Sequence, residues 1–362
     1  MQIDARVEAW ASLQLIHGAS PRALLALLKA FGGPTEILNA SAASLSRVVS
    51  GELAAAVERG PDREALDRAL GWLGEPGHAL IAWGDEAYPQ ALLSIADPPP
   101  VLYFHGRPEL LNRPSLAIVG SRNATPQGVE TAEAFAAALS AAGLTIVSGL
   151  ALGIDAAAHR GGLAGTGSSL AIVGTGIDRV YPTANRSLAR RLAEAGGVLS
   201  EFPIDTPPLP ANFPRRNRVI SGLARAVLVV EATLASGSLI TARFAAEQGR
   251  DVLAIPGSIH SPFSKGSHRL IKEGAKLVET AGDVLEELGM QAASGPSAAP
   301  ASIAPEGAAG RVLAALGHDT ASVDVLCERS ALPADAVCVA LVQLELEGRI
   351  ACLPGGLYQR LG

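Results

Sequence analysis

Between Val7 and Leu73 the apolar residues recur at helical spacing: Leu13 and Ile16, then Leu24, Leu25, Leu27, Leu28 and Phe31. Gly18, Gly32-Gly33-Pro34 and Gly51 interrupt them. Short helices joined by Gly-containing turns are predicted, forming a small all-α domain over residues 1–75. From Ala79 the texture changes. Short β-branched runs now alternate with Ala-rich helical stretches: Leu116–Val119, Thr145–Val147, Leu170–Val173, Val198–Leu199, Val227–Val230, Val252–Ile255 and Leu277–Val278. Such alternation implies parallel strands joined by crossover helices, so residues 76–290 are expected to form an α/β domain with a Rossmann-like sheet of about seven strands. The Ala-, Ser-, Pro- and Gly-rich segment 291–307 reads as a flexible linker. After it, residues 308–362 show three helical stretches and then Arg349–Tyr358, with Pro354-Gly355-Gly356 as the turn of a hairpin. Helices followed by a strand–turn–strand wing make a winged-helix pattern.

Composition narrows the classes. The 362-residue chain is 48% hydrophobic, long enough for two or three domains, and carries a net charge of −6. A nucleic-acid site on such a chain must be a local basic patch. Residues 185–225 supply one, with seven Arg against Glu194, Glu201 and Asp205. The outer segments do not: residues 1–75 carry 7 basic and 9 acidic residues, and 309–362 carry 4 and 6. An interaction role therefore suits the N-terminal helices better than phosphate binding at the hairpin-like run Ile16–Pro21, whereas the winged module is left open between DNA reading and protein contact or dimer packing. Cys327, Cys338 and Cys352 are odd in number and lack zinc-site spacing, so they read as reduced, buried small hydrophobes with no metal. Asp4 and Glu8 precede any apolar run, and no stretch of eighteen apolar residues occurs. The expectation is a soluble, cytoplasmic protein with no signal peptide and no membrane span.

The basic patch culminates in Asn212-Phe213-Pro214-Arg215-Arg216-Asn217-Arg218-Val219-Ile220. Guanidiniums cannot shed their protons, so these arginines either pair internally with Glu201, Asp205 or Glu231 or present their charge to an anion. Phe213 among them suits an anion with phosphates to fork and a flat face to stack, as in single-stranded nucleic acid. Ligands of parallel sheets bind beyond the carboxyl ends of the strands. There the chain places Gly120-Ser121-Arg122, Ser148-Gly149, Gly174-Thr175-Gly176 and Glu231-Ala232-Thr233, several with small residues where a helix start can offer amides to a phosphate. No Lys is preceded by Gly and followed by Ser or Thr, so a Walker A loop is absent, and Gly174-Thr175-Gly176 has Arg179 where a dinucleotide fingerprint needs its third glycine. No nucleotide cofactor is expected. Asp155 and His159 stand four apart on a helix, either an acid–base pair or a packing pair; no nucleophile accompanies them, so no catalytic residue is assigned.

Taken in order, Ile118–Arg122, Val147–His159, Gly174–Pro182, Phe213–Ile220, Ser236–Ala242 and Ile255–Gly257 resemble the DNA-processing protein A family (DprA, or Smf), with the match running through most of residues 80–285. The resemblance implies an extended Rossmann-like domain that binds single-stranded DNA, a sterile-alpha-motif-like N-terminal domain and a C-terminal winged helix. It also implies a homodimer that helps load the recombinase RecA onto DNA taken up in natural transformation, with no enzymatic step. Carried over by position, the DNA site comprises Gly120, Ser121, Arg122, Ser148, Gly149, Phe213, Arg215, Arg216, Asn217 and Arg218, and the dimer contact His268, Ile271 and Leu277. Some members have a Lys three residues before the aromatic; this chain has Pro210. Arg122, fixed by a strand end, is expected to act as a positioned phosphate fork and the arginines at 215, 216 and 218 as a more diffuse field. The alternative is an enzyme: a nucleoside monophosphate hydrolase of the lysine-decarboxylase-like group shares the fold, but its Pro-Gly-Gly-x-Gly-Thr-x-x-Glu loop is broken here at Pro256-Gly257-Ser258-Ile259, without the catalytic Glu.

Overall fold

The computed structural model describes residues 4–290, 307–317, 320–353 and 355–361. The expected linker, apart from Gly307, lies outside the described residues. Six helices come first: α1 (Ala5–Gln14), α2 (Pro21–Phe31), α3 (Pro34–Leu38), α4 (Ala42–Leu45), α5 (Gly51–Arg59) and α6 (Arg63–Leu73). Five start under a side-chain cap, with Asp4, Ser20, Ser41, Ser50 and Asp62 each accepting a backbone N–H of the first turn. Leu13, Ile16, Leu24, Leu27, Ile37, Leu45, Leu53 and Val57 close over one another as their core. The bundle is not separate from the sheet. Trp10, Leu66 and Leu73 pack on Leu80, Ala82, Val101 and Tyr103 of the first two strands.

The central sheet has nine strands: β1 (His78–Ala82), β2 (Val101–Gly106), β3 (Ser115–Gly120), β4 (Thr145–Ser148), β5 (Ser169–Ile172), β6 (Gly197–Ser200), β7 (Ala226–Val230), β8 (Asp251–Ala254) and β9 (Lys276–Leu277). Their spatial order is β1-β2-β6-β5-β4-β3-β7-β8-β9. The seven strands from β6 across to β9 are parallel and match the seven apolar runs, while β1 and β2 add an antiparallel edge. Crossovers are made by α7 (Pro126–Ala141), α8 (Ile154–Ala164), α9 (Arg186–Ala195), α10 (Asn212–Leu223), α11 (Ser238–Glu247) and α12 (Lys265–Lys272), with α13 (Ala281–Glu287) following β9. The period of two is visible along β3. Ala117 and Val119 face the core shared with Val219, Ile220 and Ala242, whereas Leu116 and Ile118 face the one shared with Leu139, Ile154 and Ala157. A strand buried on both sides has no polar positions to alternate, which is why these runs are unbroken in the sequence. The chain walks outward from β3 to β6, then returns to lay β7 on the other side of β3. That reversal opens a crevice outside the carboxyl ends of β3 and β7.

The C-terminal module contains α14 (Ala308–Leu316), β10 (Ala321–Ser322), α15 (Val323–Ser330), α16 (Ala334–Leu346), β11 (Ile350–Leu353) and β12 (Leu357–Arg360). Its three strands lie in the order β10-β12-β11, and Val312, Leu316, Leu326, Val337, Leu341, Leu344 and Ile350 form its core. The cysteines are not buried as expected: Cys338 lies on the solvent side of α16 and Cys352 on the edge strand β11, both exposed, and Cys327 is only partly covered. Gln359 on β12 donates a 2.9 Å hydrogen bond to the Gln127 side chain on α7. No described helix is long and apolar enough to cross a membrane, and among the described residues no group of three His, Cys, Asp or Glu side chains could hold a metal.

Candidate nucleic-acid interface

The helix starts at the rim are already occupied by the protein's own carboxylates. Thr125 caps α7, and Glu231, at the end of β7, accepts both the Thr125 hydroxyl and its backbone N–H, the latter at 2.9 Å. Burial pushes the Glu231 carboxyl above its usual range, against those two hydrogen bonds. At the neighbouring turn, Asp155 on α8 accepts the backbone N–H of Gly149 at 3.1 Å and of Ala151 at 3.4 Å. Amides that would greet a phosphate in a dinucleotide site are thus spent internally at both places. Ser148 donates its hydroxyl to Ile118 O at 2.7 Å, and Ser121 accepts the N–H of Asn123 at 3.1 Å. Gly120 sits where the chains cross: a Cβ there would collide with the Val230 carbonyl and with Ile154.

Beneath the rim lies a buried polar layer. His159 is fully buried, and its Nε2 accepts the N–H of Leu150 at 3.2 Å. Nδ1 therefore carries the proton and donates to Ser169 Oγ at 2.8 Å, whose hydroxyl passes on to Ile146 O at 2.8 Å. Burial, reinforced by Arg216, pushes the imidazole down to about 3, so it is neutral. Asp155 and His159 do share a helix face, and both use it to hold the loop 149–151. Arg216 is equally interior. Its Nη1 donates to Gly149 O at 2.7 Å and to Ile172 O, and Nε donates to Asn217 Oδ1 at 3.2 Å. Burial pulls this guanidinium down to about 10, opposed by Asp155 and assisted by Arg122. Gly149 has no side chain because the guanidinium occupies that space.

Arg215 and Arg218 stand three apart on α10 and reach the same carboxylate, Glu201. Arg218 is buried and also donates to Asp97 O, whereas Arg215, 3.1 Å from Glu201, keeps 45% of its side chain exposed and lies over the Phe202 ring at 5.3 Å. Internal pairing and exposed charge therefore divide the cluster between them. The expected diffuse field of three arginines is not what the fold presents, since Arg216 and Arg218 point inward and Phe213 to Arg218 lie in the first turns of α10 itself.

What the rim does present is an aromatic and cationic ledge. Phe213 is half-buried and rests on Gly174, where even a Cβ would press to 2.9 Å from the ring. The exposed Arg122 guanidinium lies 5.6 Å from the Phe213 centroid, and the Tyr181 ring, 46% exposed, stands 5.6 Å away at 42°. The two rings and the guanidinium come from three different strand ends. Tyr181 was missed as a site residue, although an aromatic in the loop after Gly174-Thr175-Gly176 was a legible signal. Asn185 was missed too: it holds the loop below by donating to Leu150 O at 2.9 Å and Ala151 O at 3.1 Å. Pro210, just before α10, is exposed and offers no cation. His268, Ile271 and Leu277 are not part of this ledge. They lie at the far edge of the sheet, where Leu277 on β9 is 43% exposed, Ile271 is half-buried, and His268 Nε2 is 3.0 Å from Gly257 O.

The chain has clear relatives. The family model for DNA recombination-mediator protein A matches residues 79–289, and that for the DprA winged helix domain matches 296–356. Protein Smf of Escherichia coli is 44% identical over 83% of this chain and 82% of its own length. The putative DNA processing protein DprA of Mycobacterium tuberculosis is 35% identical over 98% and 94%. Among solved structures, DNA processing protein A from Streptococcus pneumoniae superposes with a TM-score of 0.69 at 36% identity, covering 79% of this chain and 99% of that one. The protein from Helicobacter pylori, described by its single-stranded DNA binding mode, superposes at 0.54 with 30% identity over 58% and 95%. With its mostly parallel sheet, helical N-terminus and winged helix, the chain belongs to the DNA-processing protein A (DprA/Smf) family of DNA recombination mediators.

Proposed function

We propose that the ledge of Arg122, Phe213 and Tyr181 binds single-stranded DNA, and that the protein, as a homodimer, uses it to help load RecA recombinase onto strands arriving by DNA uptake. The supporting observation is a half-exposed ring braced from below by Gly174 and flanked by an exposed guanidinium and a second ring. A base stacks on such a platform only when unpaired, while Arg122 and the exposed side of Arg215 take phosphates. Gly120, Ser121, Ser148, Gly149, Arg216, Asn217 and Arg218 serve that ledge by shaping the turns and helix beneath it. The Helicobacter relative's single-stranded DNA binding is consistent with this reading. The far sheet edge at His268, Ile271 and Leu277 would join two copies, leaving both ledges open. Replacing Ile271 and Leu277 by Glu should give folded monomers by light scattering; an unchanged dimer would place the contact elsewhere.

The decisive experiment is a binding titration with single-stranded and duplex oligonucleotides of equal length. Single strands should bind more tightly, and Phe213→Ala should cost about 1–3 kcal/mol on the single strand, the worth of one stacked base. RecA filament growth on protein-coated single strands, followed with parent and Phe213→Ala, tests the loading role. Equal affinity for duplex, or an unaffected Phe213→Ala, would overturn the assignment.

A further inference from the structure

Helix α16 is the element a winged helix lays in the DNA major groove. Its charge is wrong for that task. Ala334–Leu346 contains no Lys or Arg and carries Asp335 and Glu345, with Glu347 directly after it. A groove-binding helix must offset phosphate charge, and this one adds to it. The wing is also engaged, through the bond from Gln359 to Gln127 on α7. What α16 exposes instead is apolar: Val339 is 69% exposed, Val342 59% and Leu346 86%. The spacing of three and four puts them in one stripe on the outer side, while Val337, Leu341 and Leu344 are buried on the inner side. Single exposed aliphatics are ordinary on a protein surface; three in one row on one helix are not. Val339 also borders a shallow groove between α16 and α14, lined by Ala308, Ala309, Ala336 and Gln343.

We infer that this stripe docks an amphipathic segment of a partner protein, with apolar side chains at helical spacing and Lys or Arg at its flanks. The apolar row supplies the contact, and Asp335, Glu345 and Glu347 around it select a basic rim. A second copy of this chain fits less well. Isologous pairing would bring two sets of these carboxylates together, and three aliphatic side chains fall far short of the roughly 800 Å² per partner of a stable interface. The inference is independent of the DNA ledge and fails or stands without it.

The test uses the full chain as bait for a displayed library of short helical peptides, with apolar residues randomised at helical spacing and Lys or Arg fixed at both flanks. Enriched peptides, fluorescently labelled, are then titrated against the parent and against the double variant Val342→Glu/Leu346→Glu. Both positions are exposed, and a second variant, Val342→Ser/Leu346→Ser, removes the stripe without adding charge. The expected result is binding to the parent that weakens with salt and falls at least about tenfold in both variants, with single-stranded DNA affinity and thermal unfolding unchanged. Three results each overturn the inference: no peptide discriminates parent from variants; peptides with Glu flanks bind as well as basic ones; or the Ser variant converts a dimer to monomer, which would assign the stripe to a second copy.

Discussion

Arg216 and Arg218 differ from Arg122 and Arg215 in where their charge goes, and the contrast divides the site into two layers. The inner pair is buried and consumed by Gly149 O, Ile172 O, Asp97 O and Glu201. The outer pair is exposed and lies over the rings of Phe213 and Phe202. A guanidinium satisfied by fixed carbonyls organises backbone, because its planar fork dictates where those carbonyls sit. One resting on a ring at the surface keeps donors for a ligand, though Arg215 spends one of its own on Glu201. The same residue type thus builds the platform in one layer and, on the function proposed above, meets DNA in the other, and a substitution in each should fail in a different assay.

The largest effect is expected in the inner layer. Arg218→Ala leaves Glu201, 3% exposed, with only the half-exposed Arg215 as counter-charge, and should destabilise the fold by about 3–5 kcal/mol in denaturant melts. If Arg218→Ala melts like the parent but binds DNA poorly, the division into layers is wrong.

The next effect separates the layers by pH. His159 has a folded pKa of about 3 against about 6.5 unfolded, so between those values the unfolded chain binds a proton that the folded one does not. Stability is therefore lost as pH falls through that window, by about 2 kcal/mol between pH 7 and 5 from this group alone. His159→Gln should flatten the stability-versus-pH curve by that amount while leaving the salt dependence of DNA binding untouched.

The smallest effects belong to the outer layer and appear only with DNA present. Arg122→Lys keeps the charge but loses the planar face over Phe213, and should weaken single-strand binding by about 1 kcal/mol with no change in melting. Arg215→Ala should lower the salt slope by about 0.7, the value for one phosphate contact on a single strand. An unchanged slope would mean that Glu201 already holds all of that charge.

The seven parallel strands were legible because burial on both faces leaves continuous β-branched runs. The antiparallel pair β1–β2 was not. Its strands are separated by a Pro-rich connection that includes Pro98-Pro99-Pro100, so the strand–helix rhythm that betrays a parallel sheet never starts there. At the site, Phe213 and the arginines were visible as residue types, but their division was invisible. Glu201 was among the internal partners the sequence offered, and it does pair with Arg215 and Arg218; what stayed hidden was which side of α10 meets the sheet, and Asp97, which arrives from a distant segment. Likewise, the sequence pattern suggested amides for phosphate at several helix starts. Only the fold shows Glu231 and Asp155 already seated at two of them.

Glu201 binds two guanidiniums with one carboxylate, and this sets the range of the molecule's field. Of the charge gathered on α10, Asp155 balances Arg216, and Glu201 and Asp97 between them balance Arg215 and Arg218. The main positive charge left at the ledge is that of Arg122, on a chain whose total is −6. Beyond a Debye length, about 8 Å in physiological salt, an approaching strand meets the acidic body rather than the ledge. Encounter is then not hastened by long-range steering. If the ledge takes single strands as proposed, association should proceed at an unsteered rate, and the strength of the complex should reside in slow dissociation, once a base has found the ring.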